Sequence, residues 1–229
     1  MRVARCKLTA LALGLTAIAA SVAQAGQAQE PKQPAKATYA ELLARAKQAD
    51  PALDFTALRM AYAESDQYSP YGGGRQVYED ALRSQNHAEA IRLGEAGLEK
   101  NFLDVWAHWA VWQGAHGLGD EKRMAFHQYM LRGMLDSIQS SGDGQSPETA
   151  FKVISTDETY FLLTLLGLRP KSQALQRKDG HTYDAMTVTD AESGEELTLY
   201  FNVDLSFGYM QRLLDSGKKK STDKPAKKS

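Results

Sequence analysis

The chain has 229 residues and a formal net charge of −1. That charge is unevenly placed: residues 38–217 hold 16 Lys and Arg against 26 Asp and Glu, while six Lys and one Asp follow from Lys218 onward. A body this acidic lacks the basic face that phosphates require, which excludes nucleic acid as a partner.

The N-terminus predicts export. Arg2, Arg5 and Lys7 precede an uncharged apolar run from Leu8 to Ala20, and Ala23-Gln24-Ala25 supplies the small residues of a cleavage site. As a helix that run spans about 20 Å, short of a bilayer core of about 30 Å. Residues 1–25 are therefore read as a signal peptide cleaved after Ala25. Cys6, the one cysteine, lies before the apolar run, so a lipid anchor at the cleavage site is not indicated. The remainder has no disulfide, no thiol nucleophile and no thiolate metal site. It contains no second apolar run long enough to span a membrane, so a soluble periplasmic or secreted product is expected.

Residues 26–37 (GQAQEPKQPAKA) read as a disordered linker. Residues 38–139 read as helical. Thr38 and Glu41 form a capping box ahead of Tyr39, Leu42, Leu43 and Ala46. A second helix opens near Asp54, and Tyr68-Ser-Pro-Tyr-Gly-Gly-Gly74 breaks into a loop. Further helices are expected around 77–82, at 88–100, 104–118 and 121–139. The turns at Ser84 and Gly119 are 35 residues apart, and helix pairs repeating at about 34 residues are tetratricopeptide-like.

Residues 140–217 change period. A short strand is expected at 150–155, then a helix opened by a Ser155–Glu158 capping box, with only a faint strand signal at 173–175. His181–Thr189 and Leu197–Val203 alternate about the turn Asp190–Gly194 and predict an antiparallel hairpin. A closing helix is expected over 207–214. Residues 218–229, six lysines with almost no apolar residue, read as a disordered basic tail. The fold class is α+β: tetratricopeptide-like helical hairpins, then a small antiparallel hairpin or meander with short helices.

Several strings carry a resemblance: Arg59-Met-Ala-Tyr62, Tyr68-Ser-Pro-Tyr71, the run from Ser141 to Ser155, Gly180-His-Thr-Tyr-Asp-Ala-Met186 and Tyr200-Phe-Asn-Val-Asp204. Together they resemble the bacterial domain of unknown function 4919 over roughly residues 54–214. The resemblance implies a secreted or periplasmic bacterial protein and brings no catalytic residues with it.

Candidate chemistry is sparse. His108 and His116 are eight residues apart, about 12 Å along a helix, too far to share one ion. These two and His127 read as hydrogen-bonded histidines of an aromatic helix interface. His181 would be a general base if Asp143 or Asp204 approached it. The loop at Asp143 offers too few oxygen ligands for calcium, and no nucleophile elbow or phosphate loop is present. No metal or cofactor is expected. The tyrosines at 62, 68, 71 and 78 surround the glycine loop. Tyr68, Tyr71, Trp106 and Trp109 are the candidate binding residues of a noncatalytic module for a protein or peptide of the cell envelope. The alternative is a small periplasmic hydrolase or metal-dependent enzyme using His127, Asp143 and His181 between the two halves.

Overall fold

The computed structural model describes residues 37–222, with side chains through residue 215. The expected signal peptide, the linker up to residue 36 and residues 223–229 of the expected tail lie outside the described residues.

Six helices come first: α1 (Tyr39–Lys47), α2 (Phe55–Ala63), α3 (Arg75–Arg83), α4 (His87–Lys100), α5 (Val105–Leu118) and α6 (Glu121–Gln139). Thr38, Asp54, Asn86, Asp104 and Asp120 each accept an otherwise orphaned helix N–H, which is why five of these helices begin where they do. The capping box at Thr38 closes in both directions. α3 starts at Gly74 without a side-chain cap.

Helices α4 and α5 cross closely because glycines stand at the crossing. A Cβ at Gly94 would lie 2.6 Å from Val111 Cγ2, and one at Gly114 would lie 2.7 Å from the His87 carbonyl oxygen.

The second half adds β1 (Phe151–Lys152), α7 (Thr156–Leu165), β2 (Leu168–Lys178), β3 (His181–Asp190), β4 (Glu196–Asn202) and α8 (Asp204–Thr222). The strands form one sheet in the order β1-β4-β3-β2. The expected hairpin is present, with Ala185 opposite Tyr200 and Val188 opposite Leu197.

Three details depart from the sequence expectation. The sheet is mixed, because β1 runs parallel to β4 and pairs through two residues only. β2 is eleven residues long, not a fragment near 173–175. It occupies the sheet edge with nearly every side chain exposed, so it shows no alternation, and its register slips between Pro170 and Ser172. Helix α8 extends beyond the expected 207–214 at both ends and runs into the expected tail. The tight turn joining β2 to β3 is Asp179-Gly180, both at positive φ (52° and 81°), the backbone of a two-residue hairpin. With helices layered beside this sheet the chain is α+β.

There are two cores. The helical core gathers Leu58, Tyr62, Trp106, Val111, Met130 and Met134. The sheet core gathers Phe151, Met186, Val188, Leu199 and Phe201. Helix α7 serves both, since Phe161 packs into the first and Leu162 and Leu163 into the second.

At this seam lies a buried ion pair. Arg59 and Glu158 are each 1 % exposed. Arg59 Nε donates to Glu158 Oε1 at 2.8 Å and Nη2 to Oε2 at 2.7 Å; Nη1 donates to Ser137 Oγ at 2.7 Å and Nη2 also to the Lys152 carbonyl at 2.8 Å. Ser155 caps α7 as expected, but the Glu158 carboxylate serves Arg59 and the Ile154 N–H instead of closing a capping box.

Removing one member of such a pair strands the other charge in apolar surroundings. Arg59→Met is expected to lower unfolding free energy by about 3–5 kcal/mol in urea titration. Adding Glu158→Leu to it should recover most of that loss. A double variant no more stable than the single would show that the pair is not what holds this seam.

Candidate functional site

The three histidines of α5 and α6 separate. His116 is exposed, with its ring 6.4 Å from Trp112. His108 and His127 are buried and meet Nδ1 to Nδ1 at 2.8 Å. The tautomers follow from the partners. His108 Nε2 lies 2.9 Å from the Phe102 carbonyl, so it carries the proton; its Nδ1 is therefore bare and accepts from His127 Nδ1. Burial, then the neighbouring His127, pulls His108 down to about 3; burial also lowers His127 to about 4. Both rings are neutral at physiological pH and locked in a helix interface.

His181 does find a carboxylate. Its Nδ1 lies 2.6 Å from Asp204 Oδ2, while Asp204 Oδ1 accepts from the Thr182 N–H at 2.6 Å and Asn202 Nδ2 donates to Oδ2 at 3.1 Å. Burial raises the Asp204 carboxyl, but the hydrogen bonds from His181, Thr182 and Asn202 outweigh it and leave it below its ordinary range. Asp143 instead accepts from the Gln145 N–H at 3.0 Å within its own turn. His127, Asp143 and His181 thus each have separate partners. No group of three His, Cys, Asp or Glu able to hold a metal occurs among the described residues.

The candidate binding aromatics also divide. Tyr68 is buried and donates to the Ile154 carbonyl at 2.5 Å, with Tyr62 and Tyr209 edge-on against it at 5.5 Å each. Trp106 is 2 % exposed, edge-on to Phe161 at 4.9 Å with the Arg75 guanidinium over its ring at 4.1 Å. Both are core residues. Tyr71 is 43 % exposed and lines a cleft of about 430 Å³ with Gly72, Gly74, Tyr78, Lys100 and Asp104.

The glycine loop walling this cleft is packed tightly. A Cβ at Gly72 would strike Asp157 Oδ2 at 1.7 Å, and one at Gly74 would strike the Tyr78 ring at 2.3 Å. Asp157 pays for its position. Burial, then the charge of Asp104, raises its carboxyl to about 6, against the Gly72 N–H and Arg75, which favour the charged form. Burial likewise raises Asp104.

Trp109 lies elsewhere, in an apolar groove of about 510 Å³ formed by α5, α6 and α7. Trp109, Trp112, Leu131, Leu135 and Leu162 line it, with Leu165 and Leu166 (50 % and 44 % exposed) along one side and Arg132 and Asp136 on the rim. Sequence reasoning did not select Trp112, Leu165 or Leu166. The available signal was the run Leu162-Leu-Thr-Leu-Leu-Gly-Leu168, which is apolar on every side of a helix and so has more apolar surface than one core needs. Asp104 and Asp157 were missed too, because desolvation is a tertiary property.

Residues 31–211 match the family model described as Domain of unknown function (DUF4919). No curated protein and no solved structure matches the chain.

Asp157 makes stability depend on pH with a defined sign. The unfolded carboxyl releases its proton near the ordinary 3.8, whereas the folded one holds it to about 6. The native state binds more protons across that window, so this group's contribution falls as pH rises through it and the full penalty applies above about 6. Asp157→Asn is expected to stabilise the protein by about 1–2 kcal/mol at pH 7 and to leave it nearly unchanged at about pH 3, below the unfolded carboxyl's range. Melting curves at both values test this, and an equal effect at the two would refute it.

Proposed function

The chain belongs to the domain of unknown function 4919 family, and from that premise we propose that it is a noncatalytic peptide-binding module of the cell envelope. The charged, apolar and small-residue order of its N-terminus supports export. The observation that carries the binding role is the groove of α5, α6 and α7, where Leu165 and Leu166 remain half exposed beside Trp109 and Trp112. Contiguous apolar surface of this kind marks a partner site more often than it occurs by chance. The groove is walled by helices whose opposite faces are locked in the core, so it is preformed.

An apolar trough with a polar rim fits one face of an amphipathic helix, read as leucine-type anchors at i, i+3, i+4 and i+7. The tetratricopeptide-like hairpins α3–α4 and α5–α6 act as the rigid scaffold, and the acidic body favours a partner whose polar face is basic.

A second reading rests on one contact. Asp204 holds His181 Nδ1 at 2.6 Å, the orientation that leaves Nε2 of a general base free toward solvent. In that reading the reaction is a hydrolysis beside the end of β3, away from the groove.

All three tryptophans lie on α5, and two of them line the groove, so intrinsic fluorescence reads its occupancy. Titration with basic amphipathic helical peptides should shift the emission saturably, and scrambled peptides should not. Leu166→Asp is expected to weaken binding at least tenfold while changing stability by no more than about 0.5 kcal/mol. His181→Ala should leave it unchanged. A panel without saturable binding sinks the peptide reading, and hydrolysis lost in His181→Ala would favour the second.

A further inference from the structure

Helix α8 changes character along its length. Its first turns are docked: Ser206 is buried, the Tyr71 hydroxyl donates to the Ser206 carbonyl at 3.4 Å, and Tyr209 packs edge-on against Tyr68. From Met210 through Asp215 every side chain is exposed. Within that stretch Met210, Leu213 and Leu214 stand at 42 %, 54 % and 59 % exposure. Their spacing, i, i+3 and i+4, places all three on one face of the helix. The face is apolar and largely open: Met210 borders a cleft with Phe207, Gln173 and Leu175, while Leu213 and Leu214 are more than half exposed.

Charge names the occupant. The helix continues through Lys218, Lys219 and Lys220 to Thr222, and the chain from Lys218 to its end holds six lysines and one aspartate. The body before it is strongly acidic, with 26 Asp and Glu against 16 Lys and Arg over residues 38–217. An anionic surface would repel that body and attract the C-terminal end alone. A short apolar stripe running into a lysine cluster is the pattern of a helix that lies in a lipid interface.

We propose that the C-terminal half of α8, with Met210, Leu213 and Leu214 inserted among the lipids and the lysines beyond them against the headgroups, docks this protein on an anionic membrane surface. The contact is reversible, since it combines a few apolar side chains with screened charge and no spanning segment. None of the three inserted side chains lines the α5–α7 groove or the glycine-loop cleft.

The test uses the full chain, expressed with its own N-terminus and purified as the cell processes it, in sedimentation with vesicles. Binding to phosphatidylglycerol–phosphatidylethanolamine vesicles should exceed binding to phosphatidylcholine vesicles by about a hundredfold and fall steeply with salt. Leu213→Ser combined with Leu214→Ser should reduce it about tenfold. Replacing Lys218, Lys219 and Lys220 by Glu should reduce it about a hundredfold or more. These positions are exposed or lie beyond the docked turns, so far-ultraviolet circular dichroism and the melting midpoint should not change. Equal binding to both vesicle types, or binding indifferent to both variants, overturns the proposal. So does a lipid-free dimer that the Leu213→Ser, Leu214→Ser variant dissolves, since a second copy would then be what covers the stripe.

Discussion

The guanidinium of Arg59 reaches from α2 to three other elements, meeting Ser137 on α6, the Lys152 carbonyl on β1 and Glu158 on α7. These are the elements that join the helical core to the sheet core. A charge left without its partner in this position would cost about 3–5 kcal/mol, a large share of a typical stability margin, so the groups that satisfy it are needed together. Glu158 is held just as firmly, with one oxygen shared between Arg59 and the Ile154 N–H. Apolar packing alone tolerates sliding and repacking. A planar fork meeting a carboxylate does not, because its hydrogen bonds need fixed directions. The pair therefore sets the register of α7 against the helices, and α7 in turn sets the opening of the groove.

How much of this was legible depends on how far each cause lies along the chain. The helix starts at Thr38, Asp54 and Asp120 were readable because a cap acts over three residues. The β3–β4 hairpin was readable because β4 alternates, burying Leu199 and Phe201 while Tyr200 and Asn202 are only partly buried, and because turn residues separate the strands; β3 itself is buried on both faces. Glu158 was readable only as a local partner of Ser155, since the residue that claims it is 99 positions away. The histidines at 108 and 127 were placed in helix interfaces, yet their contact across two helices has no trace in spacing. For His181 the sequence offered Asp143 or Asp204. The structure brings Asp204, because β3 and the end of β4 lie side by side and the Val203 N–H donates to the Thr182 carbonyl. Helix α5 is apolar on nearly all sides, so periodicity does not tell Trp106, which is buried, from Trp109, which reaches the surface.

The glycine loop shows how composition can mislead. Three consecutive glycines suggest slack, but two of them are required by neighbours that leave no space for a Cβ. The loop is a fitted wall, set against the Tyr78 ring and a carboxylate held at a cost. Its tyrosines divide accordingly: Tyr68 belongs to the core, and Tyr71 belongs to the surface of the cleft. A change at Tyr68 would report on folding rather than on recognition.

The edge strand β2 bears on solubility at high protein concentration. An uncovered strand of eleven residues offers a row of unpaired amides to any neighbouring chain, the usual template for strand addition and fibril growth. Here that row carries Arg169, Lys171, Arg177 and Lys178, lacks one donor at Pro170, and breaks register beside it. A second copy approaching in alignment would bring like charges together and lose ladder bonds at the irregularity. Among the described residues no further strand pairs with this edge, and the polarity that concealed β2 from pattern reading also guards it against aggregation.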